Sequence, residues 1–305
     1  MKPGRILFHR EFRGQTGGHG KVWNYFNHAL ALGFDARVHL ADGSLADESN
    51  PWMRVPDRID AVWDPVHAVV LFVGGLDWRA VPAGLEDTMP VVNLVQHVRH
   101  ADPALPLRQF LRRRATRICV SHPVADAILA TGEVNGDVVV VPAALDIVPA
   151  VAAGQGLRRG IFIDALKAPA LGAALAARMA DAGMQATVSD ARMPRARYLE
   201  ALAAADIAVL LPNPTEGFYL PALEAMALGC AVVTPPCVGS DEYARHGRNC
   251  LMPVPEPEAL LQALLQLHDP RLREELRAHG QHTAGRFTLE AERAAFARVL
   301  QGLSG

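Results

Sequence analysis

ADIAVLLPNPTEGFYLPALEAMALGCAVVTPP, residues 205–236, holds a strand, a helix and a second strand in one short span. DIAVLLP (206–212) and CAVVTPP (230–236) are unbroken apolar runs of strand length, and PALEAMAL between them reads as a helix over 221–228. Pro221 suits the first helical turn, where its missing N–H has no intrahelical partner, and Gly229 suits the position just past the helix end. Continuous apolar strands joined by a helix are the pattern of a parallel sheet covered on both faces. In such sheets ligands sit beyond the carboxyl ends of the strands. Glu216 falls just past the end of the first strand, and Glu224 within about the first turn of the helix.

The same rhythm extends in both directions. Upstream, RILFH (5–9), DARVHLA (35–41), AVVLFVGG (68–75), PVVNLVQH (90–97), RICVSH (117–122) and DVVVVP (137–142) read as strands, with helices near 20–32 and 123–130. A stretch rich in Ala, Gly and Pro without period, 143–159, reads as a linker. The alternation restarts with GIFID (160–164), a helix near 169–182, ATVSD (186–190) and a helix near 195–204, and residues 257–303 are mostly helical. The fold class expected is α/β, with two Rossmann-like domains facing a central cleft. Their bounds are 1–150 and 151–287, and a final helix over 288–305 packs back on the first domain.

Composition removes several classes of function. Thirty Lys+Arg against 32 Asp+Glu leave no basic surplus to attract nucleic acid. Cys119, Cys230, Cys237 and Cys250 form no C-x-x-C pair and lack matching His spacing, so no zinc site or disulfide framework is indicated. The opening MKPGRILFHREFRG is too broken by charge for a secretory core, and no apolar run reaches the roughly 18–20 residues of a membrane span. A cytoplasmic protein is expected.

Two carboxylates at the ligand end of a sheet can each accept hydroxyl hydrogen bonds, the chemistry that grips a sugar or a ribose. With Glu216 and Glu224 spaced E-x7-E, the run from Ala205 to Leu264 resembles the retaining, two-Rossmann-domain (GT-B) glycosyltransferases of the family 4 type. That resemblance implies transfer of a sugar from a nucleoside-diphosphate sugar to an acceptor hydroxyl, without a metal or other cofactor, in the building of glycans or glycoconjugates. It places Glu216 against the donor sugar and Glu224 on the ribose hydroxyls. It also implies that the loop Gly217-Phe218-Tyr219-Leu220 and Glu242 lie beside the nucleotide-sugar. Lys167, after GIFID and before a helix, would neutralise the diphosphate together with the helix N-terminus. Gly17 and Gly18, in RGQTGGHGKVW, match a glycine-rich loop whose N–H groups approach the diphosphate or the acceptor. His97, in NLVQHVRHAD, matches a histidine facing the reacting centre, with His100 as its competitor.

The chain departs from the family pattern at four places. Asp164-Ala165 stands where Gly-Arg usually precedes the lysine, Tyr219 and Cys250 replace glycines, and VPAALD replaces IPNGVD. The acceptor class stays open among a glycan, a lipid-linked sugar, a protein and a small molecule. LRQFLRRRATRI, with Arg108, Arg112, Arg113, Arg114 and Arg117, reads as a basic helix, either a solvated face or a peripheral contact with the inner face of a membrane. Two other readings fit the same architecture: a non-catalytic glycosyltransferase-like subunit, and a sugar-nucleotide epimerase.

Overall fold

The structure, a computed structural model, describes residues 4–14, 17–147 and 158–303. It divides into two units, Met1–Ala143 with Leu289–Gly305, and Ala144–Thr288. Of the linker read at 143–159, residues 148–157 lie outside the described residues, as does the boundary drawn at 150.

In the first unit, strands β1 (Arg5–Arg10), β2 (Asp35–Leu40), β3 (Val70–Gly74), β4 (Val91–Val95), β5 (Thr116–Cys119) and β6 (Val138–Val140) form one parallel sheet in the order β2-β1-β3-β4-β5-β6. All residues of β3 and β4 are buried, as expected for strands covered on both faces. Helices α1 (Gly17–Ala31) and α2 (His122–Leu129) follow β1 and β5. Helix α1 begins at Gly17, so Gly17 and Gly18 are its first turn rather than a loop. Residues 15 and 16, just before them, are outside the described residues.

The second unit has β7 (Ile161–Asp164), β8 (Ala186–Ser189), β9 (Ile207–Leu210) and β10 (Ala231–Val233), parallel in the order β10-β9-β7-β8. Helices α3 (Pro169–Asp181), α4 (Arg195–Ala204) and α5 (Leu220–Ala227) connect the strands, and α6 (Pro257–Gln266) and α7 (Pro270–Ala284) follow. Ile163, Val209, Ala231, Leu260, Leu264 and Leu276 form its apolar core. In both sheets the strand order reverses beside the first strand: between β1 and β3, and between β7 and β9. A crevice opens at such a switch point beyond the carboxyl ends.

The last helix, α8 (Leu289–Gly302), packs on α1 of the first unit. Phe296, fully buried, meets Tyr25 edge-on at 5.0 Å and Phe72 at 6.0 Å. Glu292 pairs with Lys21 Nζ at 2.5 Å and His28 Nε2 at 2.8 Å, with side-chain exposures of 0%, 3% and 4%.

The arginine-rich stretch is not a basic α-helix but a five-residue 3-10 turn, Arg108–Arg112. Arg108 and Arg112 share Glu133, at 3.1 and 3.3 Å. Arg113 clasps Glu86 and lies over the Trp78 ring. Arg117 is fully buried and donates to five backbone carbonyls, those of Phe110, Leu111, Arg113, Ala115 and Asn135. These arginines tie irregular chain together because their forked donors satisfy carbonyls that no strand or helix pairs. Only Arg112 and Arg114 stay exposed, so a membrane contact would rest on those two. No helix of the described residues is long and apolar enough to cross a membrane.

Candidate active site

The carboxyl end of the second sheet holds three of the polar side chains the sequence singled out, Lys167, Glu216 and Glu224. Lys167 lies three residues past β7, and Glu216 lies in the loop after β9. They meet there: Lys167 Nζ is 2.9 Å from Glu216 Oε1, with the lysine about half exposed and the glutamate one-fifth exposed. The pair is therefore open to a ligand from the solvent side.

Glu216 is held by its backbone. Its N–H donates to the Asn213 carbonyl at 3.0 Å, and its own carbonyl accepts from Gly239 N–H at 2.7 Å. Gly239 must be glycine, because a Cβ there would run into the Gly217 carbonyl and the Phe218 nitrogen. The segment containing Glu242, a 3-10 turn over Val238–Glu242, thus braces the Glu216–Phe218 loop from behind. Glu242 itself is half-buried.

Helix α5 begins at Leu220, one residue earlier than the sequence suggests, and Glu224 therefore sits in its second turn rather than near the first. Its carboxylate does not answer the helix dipole at the surface. It is 4% exposed, and Oε1 accepts from Arg195 Nη2 at 2.6 Å. Arg195 opens helix α4. A buried carboxylate needs such a partner, since an unpaired one carries a large desolvation penalty.

Asp164, at the last position of β7, is 7% exposed. Its Oδ2 accepts from the Tyr198 hydroxyl at 3.0 Å and its Oδ1 from the Leu166 N–H at 3.2 Å. Burial pushes its pKa up, opposed by those hydrogen bonds and by nearby Lys167. Tyr219 is drawn inward, 2% exposed, rather than projecting as a bulky ring. Its carbonyl accepts from the Tyr243 hydroxyl at 2.5 Å, while its own hydroxyl is buried without a hydrogen-bond partner among the described residues. Burial, and then the charge of Asp164, raise the Tyr219 pKa well above the usual tyrosine value. Cys250, the other replaced glycine, is fully buried, and burial pushes its thiol up to about 12, so it is no nucleophile.

The raised pKa of Asp164 has a consequence for stability. Its folded state binds a proton more tightly than its unfolded state, so stability falls as pH climbs from the ordinary 3.8 through the raised value, and the cost persists above it. Asp164→Asn removes the charge but keeps one acceptor oxygen for the two donors, Tyr198 O–H and Leu166 N–H, so it also loses one hydrogen bond. The expected result is a weaker fall of stability with rising pH than in the wild type. Thermal melts across the acidic range check it, and an unchanged pH dependence would count against the cost assigned to this carboxylate.

In the first unit, Arg10 closes β1 and donates from Nη1 to Asp77 Oδ2 at 2.6 Å and from Nε to His19 Nδ1 at 3.0 Å. Gln96 Nε2 donates to the Gly18 carbonyl at 3.2 Å, which sets the start of α1 beside the end of β4. His97, next in sequence, is half-buried, and its Nδ1 accepts from the Arg99 N–H. His100 is 5% exposed, and burial lowers its pKa to about 4, so it stays neutral in the core. Of the two histidines, His97 is the accessible one.

Sequence reasoning missed Arg195, Tyr198 and the Arg10–Asp77 pair. One signal for Arg195 was present: an arginine in the first turn of a helix opposes the dipole, so something else must favour it there. The partner, Glu224, is 29 residues away and invisible to periodicity.

Residues 192–269 match the family model described as Glycosyl transferases group 1. No curated protein matches the chain. Among solved structures, sucrose-phosphate synthase from Thermosynechococcus elongatus is similar over 98% of this chain and 99% of its own, with 15% identity and a TM-score of 0.70. HepE from Anabaena, solved with UDP and glucose, is similar over the same shares, with 15% identity and a TM-score of 0.71. A glycosyltransferase from Rickettsia africae covers 99% of each chain at 11% identity and a TM-score of 0.65. The chain thus has the GT-B glycosyltransferase fold.

Proposed function

We propose that the chain is a glycosyltransferase of the family 4 type that moves a sugar from a nucleoside-diphosphate sugar to an acceptor hydroxyl with retention of configuration. The observation that carries this reading is the paired placement of Glu216 with Lys167 and Glu224 with Arg195 at the switch point of the second sheet, within the segment matching Glycosyl transferases group 1. Glu224 would accept the ribose hydroxyls, and Glu216 the hydroxyls of the donor sugar. Lys167 and the backbone N–H groups that open α5 supply positive field for the departing diphosphate, so the reading needs no metal.

The reaction breaks the bond from the anomeric carbon to the diphosphate oxygen and forms one to the acceptor oxygen on the same face. The acceptor proton passes to the leaving diphosphate oxygen, and no side chain is needed as general base. On the family resemblance alone, His97 is the candidate for the reacting centre, and Gly17 and Gly18 are candidates for contact with the diphosphate or the acceptor.

UDP is the first nucleotide to test, because HepE was solved with it. Calorimetric titration with UDP, GDP, ADP and their glucose conjugates should find one that binds, and Glu224→Ala should weaken that binding about ten- to a hundredfold, the loss of charge-assisted hydrogen bonds to ribose. Binding of one diphosphate that is indifferent to Glu224→Ala would remove Glu224 from the site. Absence of binding to all of them would favour the non-catalytic subunit.

A further inference from the structure

The donor site of this reading contains one evident cation, Lys167, for a diphosphate that carries at least two negative charges, and an acid, Asp164, lies beside that lysine. A buried carboxylate next to a bound diphosphate is unfavourable unless more positive charge is near. The structure offers it on the far side of the Asp164–Tyr198 pair. Tyr198 donates to Asp164 and lies on α4, the helix that Arg195 opens. Lys167, Asp164, Tyr198, Arg195 and Glu224 therefore form one contiguous polar set at the carboxyl end of the sheet, with a half-exposed cation at each end.

Resting on the glycosyltransferase reading, we propose that Arg195 is a second phosphate-binding cation of the donor site. It holds Glu224 through Nη2, and a planar guanidinium keeps further N–H donors for a second anion. Its side chain is 36% exposed, so a ligand reaches it, whereas Glu224 behind it is 4% exposed. Its place at the start of α4 also fits. An arginine there costs helix stability when the site is empty, and a diphosphate beside it is favoured by both the guanidinium and the helix N-terminus. The site would then recognise a nucleoside diphosphate between Lys167 and Arg195, with Glu224 passing from a lone ion pair to one shared with ribose hydroxyls.

The test compares a nucleoside diphosphate with its nucleoside, UDP and uridine first, the latter by competition against UDP. Arg195→Gln should weaken UDP about tenfold or more and leave uridine within about twofold, since only UDP presents phosphates. Arg195→Lys should keep most of the UDP affinity. In Lys167→Gln, UDP affinity should still fall with added salt, because a second cation remains to be screened; this arm decides the matter even if Arg195→Gln does not fold. Equal weakening of UDP and uridine by Arg195→Gln would overturn the proposal and make Arg195 only the residue that aims Glu224. Tightening of both, or loss of all salt dependence in Lys167→Gln, would also overturn it. Full UDP affinity in Arg195→Gln together with loss in Glu224→Ala defeats this inference alone. A wild-type chain that binds no nucleotide diphosphate defeats the donor reading and the inference together.

Discussion

Lys167→Ala is expected to lower turnover by about two to three orders of magnitude, the usual cost of removing one electrostatic stabiliser of a developing anion. The loss should fall on the chemical step. Lys167 is half exposed, and its ion pair with Glu216 is of the kind that contributes at most about 1 kcal/mol to folding. The melting temperature should therefore barely move while kcat collapses. Lys167→Arg, which keeps a charge with a different shape, should recover part of the rate. Initial rates with the donor identified by titration, measured alongside thermal melts, check both statements. Turnover within about threefold of wild type in Lys167→Ala would remove the lysine from the transition state.

Glu292→Ala carries the largest expected effect on stability, about 3–5 kcal/mol, because it leaves Lys21 charged and nearly solvent-free beside a lost partner. The effect should be confined to the first unit. All four tryptophans, Trp23, Trp52, Trp63 and Trp78, belong to that unit, so denaturant unfolding followed by tryptophan fluorescence reports on it alone. Replacing all three members, Lys21→Met, His28→Phe and Glu292→Leu, should restore much of the loss, since apolar side chains need no charge compensation. A loss below about 1 kcal/mol for Glu292→Ala would mean that the lysine is compensated without this carboxylate.

The two variants separate two kinds of buried or half-buried pair. Lys167–Glu216 stands open at the end of a sheet, where its charges can change partners. Lys21–Glu292–His28 is sealed between helices and holds the terminal helix in place. Sequence spacing does not tell them apart, because both are long-range pairs between a helix or loop residue and an acid.

Much of the strand and helix rhythm was legible because strands β3, β4, β9 and β10 are buried on both faces and so appear as apolar runs, while several covering helices carry Pro in the first turn. DIAVLLP became β9, CAVVTPP became β10, and Pro221 and Gly229 bracket α5, with Gly229 at φ +79°. Glu216 and Lys167 were legible as candidates because a residue just past a parallel strand must lie at the carboxyl end of the sheet. The basic stretch at 108–117 was misread as a helix because its charge density resembles a solvated face. What its arginines bond to, the carboxylates of Glu133 and Glu86 and the carbonyls of irregular chain around Arg117, leaves no trace in charge density or spacing.

Local sequence alone determined which residues stand at the carboxyl ends of strands, since that depends only on where an apolar run stops. The tertiary structure decided who partners whom there: that Glu224 is buried against Arg195, that Asp164 sits under Tyr198, and that Glu292 closes on Lys21. Those pairings join residues 29, 34 and 271 positions apart. Side chains that distant meet only once sheet order and helix packing are set, and burial then makes the partner of each charge an energetic necessity.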